Sequence, residues 1–174
     1  MTKMAAVVAA SLLLMACGGN VDLTNACDTR SELETVAPPS STTLHYYLST
    51  AWTDAEADKI ITKMATWSSA VDVRYLGRSE AFPRSVAHHT VFVNRCETLT
   101  GGGRVGQTFA EAHVISLTPA SLNGVVAHEA GHALGLAHST ARNWLMYPNN
   151  GGERPTAPSE GDFEDLQKLQ EEEK

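Results

Sequence analysis

The run His128-Glu129-Ala130-Gly131-His132-Ala133-Leu134-Gly135-Leu136-Ala137-His138 has the residue types and spacing for metal chemistry. His128 and His132 are four residues apart. On an α-helix that spacing stacks both imidazoles on one face, within reach of one ion. Glu129 lies beside the first histidine, where it can act as general base on a water that the metal activates. Gly135 can take φ > 0 without steric cost, so the helix can stop there and the chain can turn. The turn returns His138 as a third nitrogen ligand. Three neutral imidazoles with one position left open describe a catalytic zinc site, not a closed structural one.

Chance is a poor account of this pattern. HExxH alone should arise in roughly one chain in two hundred of this length, and adding the glycine and third histidine lowers that to about one in a hundred thousand. The bland alternative is a helix of satisfied core or surface histidines. The flanking residues favour a metal-bearing helix. Thr118 suits an N-cap and Pro119 a first helical residue. Leu122, Val125, Val126, Glu129, Ala133 and Leu136 interleave with the histidines at helical spacing, which predicts a mostly buried helix. Gly124, Ala130 and Gly131 leave room for close approach of other backbone.

With Leu145-Met146-Tyr147-Pro148 following the motif, the chain resembles the metzincin zinc endopeptidases, whose signature is the long histidine motif followed by a Met-turn. His138-Ser139 ahead of Leu-Met-Tyr-Pro resembles the matrixin branch in particular. The resemblance implies one catalytic zinc held through Nε2 of His128, His132 and His138, with Glu129 as the catalytic base. It implies Met146 as the hydrophobic floor under the metal, and Tyr147 and Pro148 as the start of the wall of the specificity pocket. It further implies an α+β fold: a twisted, mostly parallel five-stranded sheet with an antiparallel edge strand, a zinc helix, the Met-turn and a C-terminal helix.

The rest of the chain supplies elements in that order. Thr43 to Leu48 reads as a strand. Thr53 and Glu56 form a capping box for a helix to about Ser69, with Ile60, Met64 and Trp67 on one face. Strands are expected at Val71–Leu76, Thr90–Asn94, Val105–Phe109 and Val114–Leu117. A last helix should start near Glu160, capped by Ser159 with Asp162 at the third position. A substrate strand would add to the edge at Val105–Phe109, making Gly106 and Gln107 candidate contacts. Gly101-Gly102-Gly103 reads either as a mobile rim or as a simple turn. Gly124 stands where the family often carries a bulky pocket residue, so its lack of a side chain predicts a roomy pocket between the zinc helix and residues 149–158.

The chain also departs from the family. The cysteine-containing prosegment motif of many matrixins is absent, as is a hemopexin-like domain. The region Arg95 to Glu111 lacks the histidine and aspartate cluster that holds structural zinc and calcium in many members, so Ca2+ has no support in the sequence. His45, His88, His89 and His113 read as ordinary strand or loop histidines.

Residues 1–16 read as a signal peptide: Lys3, then an apolar run too short to span a membrane with normal flanks. Leu14-Met15-Ala16-Cys17 resembles a bacterial lipobox, with lipid attached to Cys17; an ordinary secretory cleavage near Ala16 is the alternative. Residues 17–42, ending Pro38-Pro39-Ser40-Ser41, read as a lipid-anchored linker or short prosegment, and 43–174 as the peptidase domain. The expected location is the outer membrane or the extracellular space of a bacterium. The two other cysteines, Cys27 and Cys96, suggest a disulfide in an exported chain. Two rival readings stay open: a Cys27 thiolate that occupies the open metal position and holds the enzyme latent, or two free thiols.

The chain has 174 residues and a formal charge of −7. That length allows one domain with its own core. The charge argues against binding nucleic acid or anionic lipid, so the expected partner is an extended peptide or protein substrate, with membrane contact through the lipid anchor only and a monomeric chain. Two other functions share these residues: a zinc-binding lipoprotein that does not cleave, and an amidase acting on a cell-wall peptide.

Overall fold

The computed structural model describes residues 27, 40–80, 90–99, 104–110, 113–148 and 155–174. The signal segment, Cys17, His88, His89, Gly101–Gly103 and residues 149–154 of the expected pocket wall lie outside these.

Five strands form one sheet: β1 (Thr43–Ser49), β2 (Asp72–Ser79), β3 (Thr90–Arg95), β4 (Gly106–Phe109) and β5 (Val114–Leu117). Their order is β2-β1-β3-β5-β4, parallel throughout except for the antiparallel pair β4–β5. The mostly parallel sheet with an antiparallel edge strand is therefore present. Three α-helices complete it: α1 (Asp54–Met64), α2 (Val125–Ala133) and α3 (Glu160–Glu172). Among the described residues no helix is long and apolar enough to cross a membrane.

Side chains alternate across each strand, so each residue can be assigned a face. Leu44, Tyr46, Leu48, Val91, Val93, Ile115 and Leu117 form the main core with Ile60, Met64 and Trp67 beyond the sheet and with Val126, Ala127 and Ala130 of α2. Burying one such aliphatic or aromatic side chain is worth about 1.5–3 kcal/mol. The opposite face carries Phe92, Asn94, Phe109, Val114 and Ser116, all buried. Burial on both faces explains why β3 reads as an unbroken run, TVFVN, without polar alternation. The edge strand β2 is mostly exposed, and Gly77, at φ +115°, marks a register shift against β1. Such a bulge breaks the flat template that an exposed edge would otherwise offer.

Local chemistry sets the helix ends. Glu56 N–H donates to Thr53 Oγ1 and Thr53 N–H to a Glu56 carboxylate oxygen, the reciprocal pair expected of the capping box. α1 then tightens into a 3-10 turn at Ala65–Trp67 instead of running as α-helix to Ser69. α2 also differs from expectation. Thr118 and Pro119 open only a 3-10 turn, Pro119–Ser121, and Thr118 makes no side-chain cap. The α-helix begins at Val125, because Gly124 adopts φ +95° and redirects the chain between β5 and the helix. At the far end of the chain, Gln170 Nε2 donates to the Ser41 carbonyl (2.8 Å) and Ser41 Oγ to Glu173 Oε2 (2.8 Å), fastening α3 to the start of β1.

Cys27 and Cys96 are joined in a disulfide. Asn94 Nδ2 donates to Cys27 Sγ (3.5 Å). Asn94 lies on the sheet face turned away from α2, so Cys27 does too. The latent-thiolate reading fails on both counts: the sulfur is bonded, and the sheet stands between it and the histidines. The bridge ties Cys27, upstream of the expected domain start at residue 43, to the end of β3. The bridge spans 69 residues, and closing a loop of that size is worth roughly 4 kcal/mol. The Cys27→Ser/Cys96→Ser double variant should lose about 10 °C or more of unfolding midpoint. An unchanged midpoint in thermal denaturation would show that the bridge does not support the fold.

Candidate active site

The site is assembled where α2, the turn after it, the segment Leu145–Met146 and β4 converge. His128 and His132 lie on one face of α2, with ring centroids 4.7 Å apart. The helix ends in a Schellman arrangement: Leu136 N–H donates to the Gly131 carbonyl and Gly135 N–H to the His132 carbonyl, with Gly135 at φ +95°. This turn brings His138 back against the pair, its ring 4.7 Å from His132 and 5.3 Å from His128.

Hydrogen bonds set the tautomers of two rings. His128 Nδ1 lies 2.7 Å from the Leu145 carbonyl, and His132 Nδ1 lies 2.7 Å from the Leu136 carbonyl. A carbonyl can only accept, so both Nδ1 atoms carry hydrogen and both Nε2 atoms present lone pairs to the site. His132 Nε2 stands 3.1 Å from His138 Nε2, and one nitrogen from each of the three rings lies within 4.8 Å of the others. Two nitrogens on one tetrahedral zinc at about 2.05 Å sit roughly 3.3 Å apart. The donor set thus fits zinc, and the two backbone carbonyls are the outer partners that usually orient such ligands. Exposure rises from buried His128 through half-buried His132 to exposed His138, so the open side faces solvent past His138.

Met146 is buried, its sulfur packed beside Gly131 on α2. Trp67 Nε1 donates to the Ala127 carbonyl (2.9 Å), tying the helix to the end of α1. A methyl at Gly131 would overlap Met146 Sδ and come within 3.0 Å of Trp67. Gly131→Ala gains up to about 1 kcal/mol in helix propensity but costs about 1–3 kcal/mol in overpacking. Overlap should win. Melting of the metal-free variant should reveal a net loss, together with weaker zinc binding; a higher midpoint would count against this packing.

Glu129 is 6% exposed. Its carboxylate accepts from Thr108 Oγ1 (2.7 Å) on β4. Gly106, two residues earlier, packs on the same side: a methyl there would overlap Val125 and lie 3.1 Å from both Glu129 Cγ and Oε1. Gly106 is thus a close-packing position against Glu129. Alternation turns the Gln107 side chain to the far face of the sheet, so it does not line the cleft.

Backbone register shows which residues of this edge turn outward. Thr118 N–H donates to the Val105 carbonyl (3.0 Å). With the register Gln107↔Ser116 and Phe109↔Val114, residues 105, 107 and 109 turn their N–H and C=O groups toward β5. Gly106 and Thr108 turn theirs outward, and among the described residues no strand pairs with that edge. Tyr147 is half-buried and Pro148 exposed directly after the Met-turn. Gly124 is buried, and its positive φ requires glycine whatever the size of any pocket beside it. His45 pairs with Asp72 (3.0 Å) on β2, and buried His113 takes φ +55° just before β5; neither joins the triad.

Two contributors were not visible in the sequence. Thr108 carries no local signal of its contact with Glu129. Asp162 is legible as a helix cap, but its buried carboxylate also accepts from Leu145 N–H (2.9 Å) and Met146 N–H (3.1 Å), holding the Met-turn.

Comparison with known proteins agrees with this geometry. The structure is similar to that of archaemetzincin from Archaeoglobus fulgidus, crystallised with malonate: TM-score 0.51 at 14% identity, over 71% of this chain and 99% of that one. That likeness concerns the fold. A family model described as matrixin matches residues 27–171. Because the match runs from the disulfide cysteine nearly to the end of α3, and so takes in every residue of the cleft, the chain belongs to the matrixin family and is a zinc metallopeptidase.

Proposed function

We propose that the protein is an endopeptidase that hydrolyses internal peptide bonds, with Glu129 as general base. The observation that carries this reading is the convergence of three imidazole nitrogens, two with their tautomer set by backbone carbonyls, beside a buried carboxylate and a strand edge that no described residue pairs with. Zinc, when held by His128, His132 and His138, polarises a carbonyl and makes water more acidic. Glu129 takes the proton of the attacking water and delivers it to the leaving amine. The Gly106 and Thr108 backbone groups bind an extended substrate as an added strand, which suits an internal stretch of chain better than a free terminus. Burial of Glu129 keeps bulk water from competing for its proton.

A disulfide persists in oxidising compartments, and this supports export. Lipid attachment at Cys17, with an outer-membrane or extracellular location, completes the proposal. The test is digestion of a broad peptide library by the purified protein, with and without a zinc chelator. Chelator-sensitive cuts inside the peptides are expected. Release of terminal residues only, cleavage of cell-wall peptides only, or zinc binding without any cleavage would each overturn the reading.

A further inference from the structure

Thr108 touches both the edge that would receive a substrate and the base that would act on it. Its backbone N–H and C=O face the open edge of β4, while its hydroxyl reaches the helix that carries Glu129. Oγ1 lies 2.7 Å from Glu129 Oε2 and 2.9 Å from the Glu129 carbonyl oxygen. Both oxygens only accept, so the hydroxyl donates, and the shorter, charge-assisted contact is the carboxylate. A β-branched threonine on a strand has few rotamers open to it, so its hydroxyl direction follows from the backbone of β4. No neighbour on this strand can substitute: Gly106 has no side chain, and Gln107 points to the other face.

We infer that Thr108 is a positioning residue for the reaction. It holds the Glu129 carboxylate in one orientation, and it ties that orientation to docking of the substrate main chain on the same residue. The inference rests on Glu129 being the general base. A carboxylate free to rotate would spend part of its time unable to reach the attacking water, and a small misplacement of a reacting group costs rate steeply. The effect belongs to kcat, because the backbone groups that bind substrate are untouched.

Thr108→Val keeps the shape and strand preference of the side chain and removes only the donor. Its kcat should fall about ten- to hundredfold, with KM within about twofold and with zinc content and unfolding midpoint like those of the wild type. Thr108→Ser, which restores the hydroxyl, should recover most of that loss. If the valine variant does not fold, Thr108→Ala takes its place with the same expectation. In a Glu129→Gln background, Thr108→Val should cause little further loss, because both changes act through one group. Unchanged kcat in the valine variant, an equal defect in the serine variant, or full additivity in the double variant would overturn the inference. An active Glu129→Gln enzyme would instead remove the reading on which it rests.

Discussion

Glu129→Gln is expected to cut peptide hydrolysis about 10²–10⁴-fold while leaving zinc bound. Glutamine has nearly the same volume, and its amide oxygen can still accept from Thr108 Oγ1, so the packing against Gly106 and Val125 survives. What disappears is a group able to take a proton. General-base catalysis commonly contributes about 10²–10⁴-fold to rate, and among the described residues no second acid or base stands out in the cleft to replace it. The three histidines keep their positions, since the Leu145 and Leu136 carbonyls that hold His128 and His132 are independent of Glu129. Metal content and turnover, measured on the same sample, check both halves. Turnover within tenfold of wild type would end the assignment of Glu129 as base. Loss of zinc would mean that the carboxylate supports the ligands rather than the chemistry.

The second large effect is expected at Asp162, far from any substrate. Its carboxylate is 1% exposed and accepts from the N–H groups of Ser159, Leu145 and Met146 and from the Ser159 hydroxyl. Asp162→Ala removes the reciprocal half of the α3 capping box, while Ser159 Oγ still caps the helix, and it strands two buried N–H groups of the Met-turn, at about 1–3 kcal/mol each. A total of roughly 2–6 kcal/mol is a large part of the 5–15 kcal/mol that holds a typical domain together. Asp162→Asn should rescue little, because its NH2 would face donors. The damage should reach the metal as well. Leu145 is the residue whose N–H binds Asp162 and whose carbonyl binds His128 Nδ1, so a loosened turn frees the first ligand. Loss of such an outer partner typically weakens metal binding by about 10–100-fold. A competition titration for zinc and a thermal melt would report the two effects separately. Wild-type values in both would show that the Met-turn holds itself.

These two residues also mark the limits of what the residue order reveals. The cluster of His128, Glu129 and His132 was legible because they are neighbours on one helix, and a helix places residues by number alone. The same holds for the capping boxes at Thr53–Glu56 and Ser159–Asp162 and for the stop at Gly135. In each, the hydrogen bonds link groups only a few residues apart, so the sequence specifies them directly. Four of the five strands were legible within a residue from β-branched and aromatic runs, and β2 ran three residues past its expected end at Leu76.

Tertiary structure decided the contacts that make the site work. Whether Gly106 and Thr108 or Gln107 faces the cleft depends on the register of β4 against β5, and a shift by one residue would reverse every side chain. The start of α2 moved to Val125 because the path from β5 to the helix demands a left-handed residue, which a threonine-proline pair cannot announce. Thr108 meets Glu129 across 21 residues, Asp162 meets Leu145 across 17, and Cys27 reaches Cys96 across 69. No local periodicity encodes such distances. They arise only when the sheet and helices pack, and burial then makes each of these polar contacts necessary.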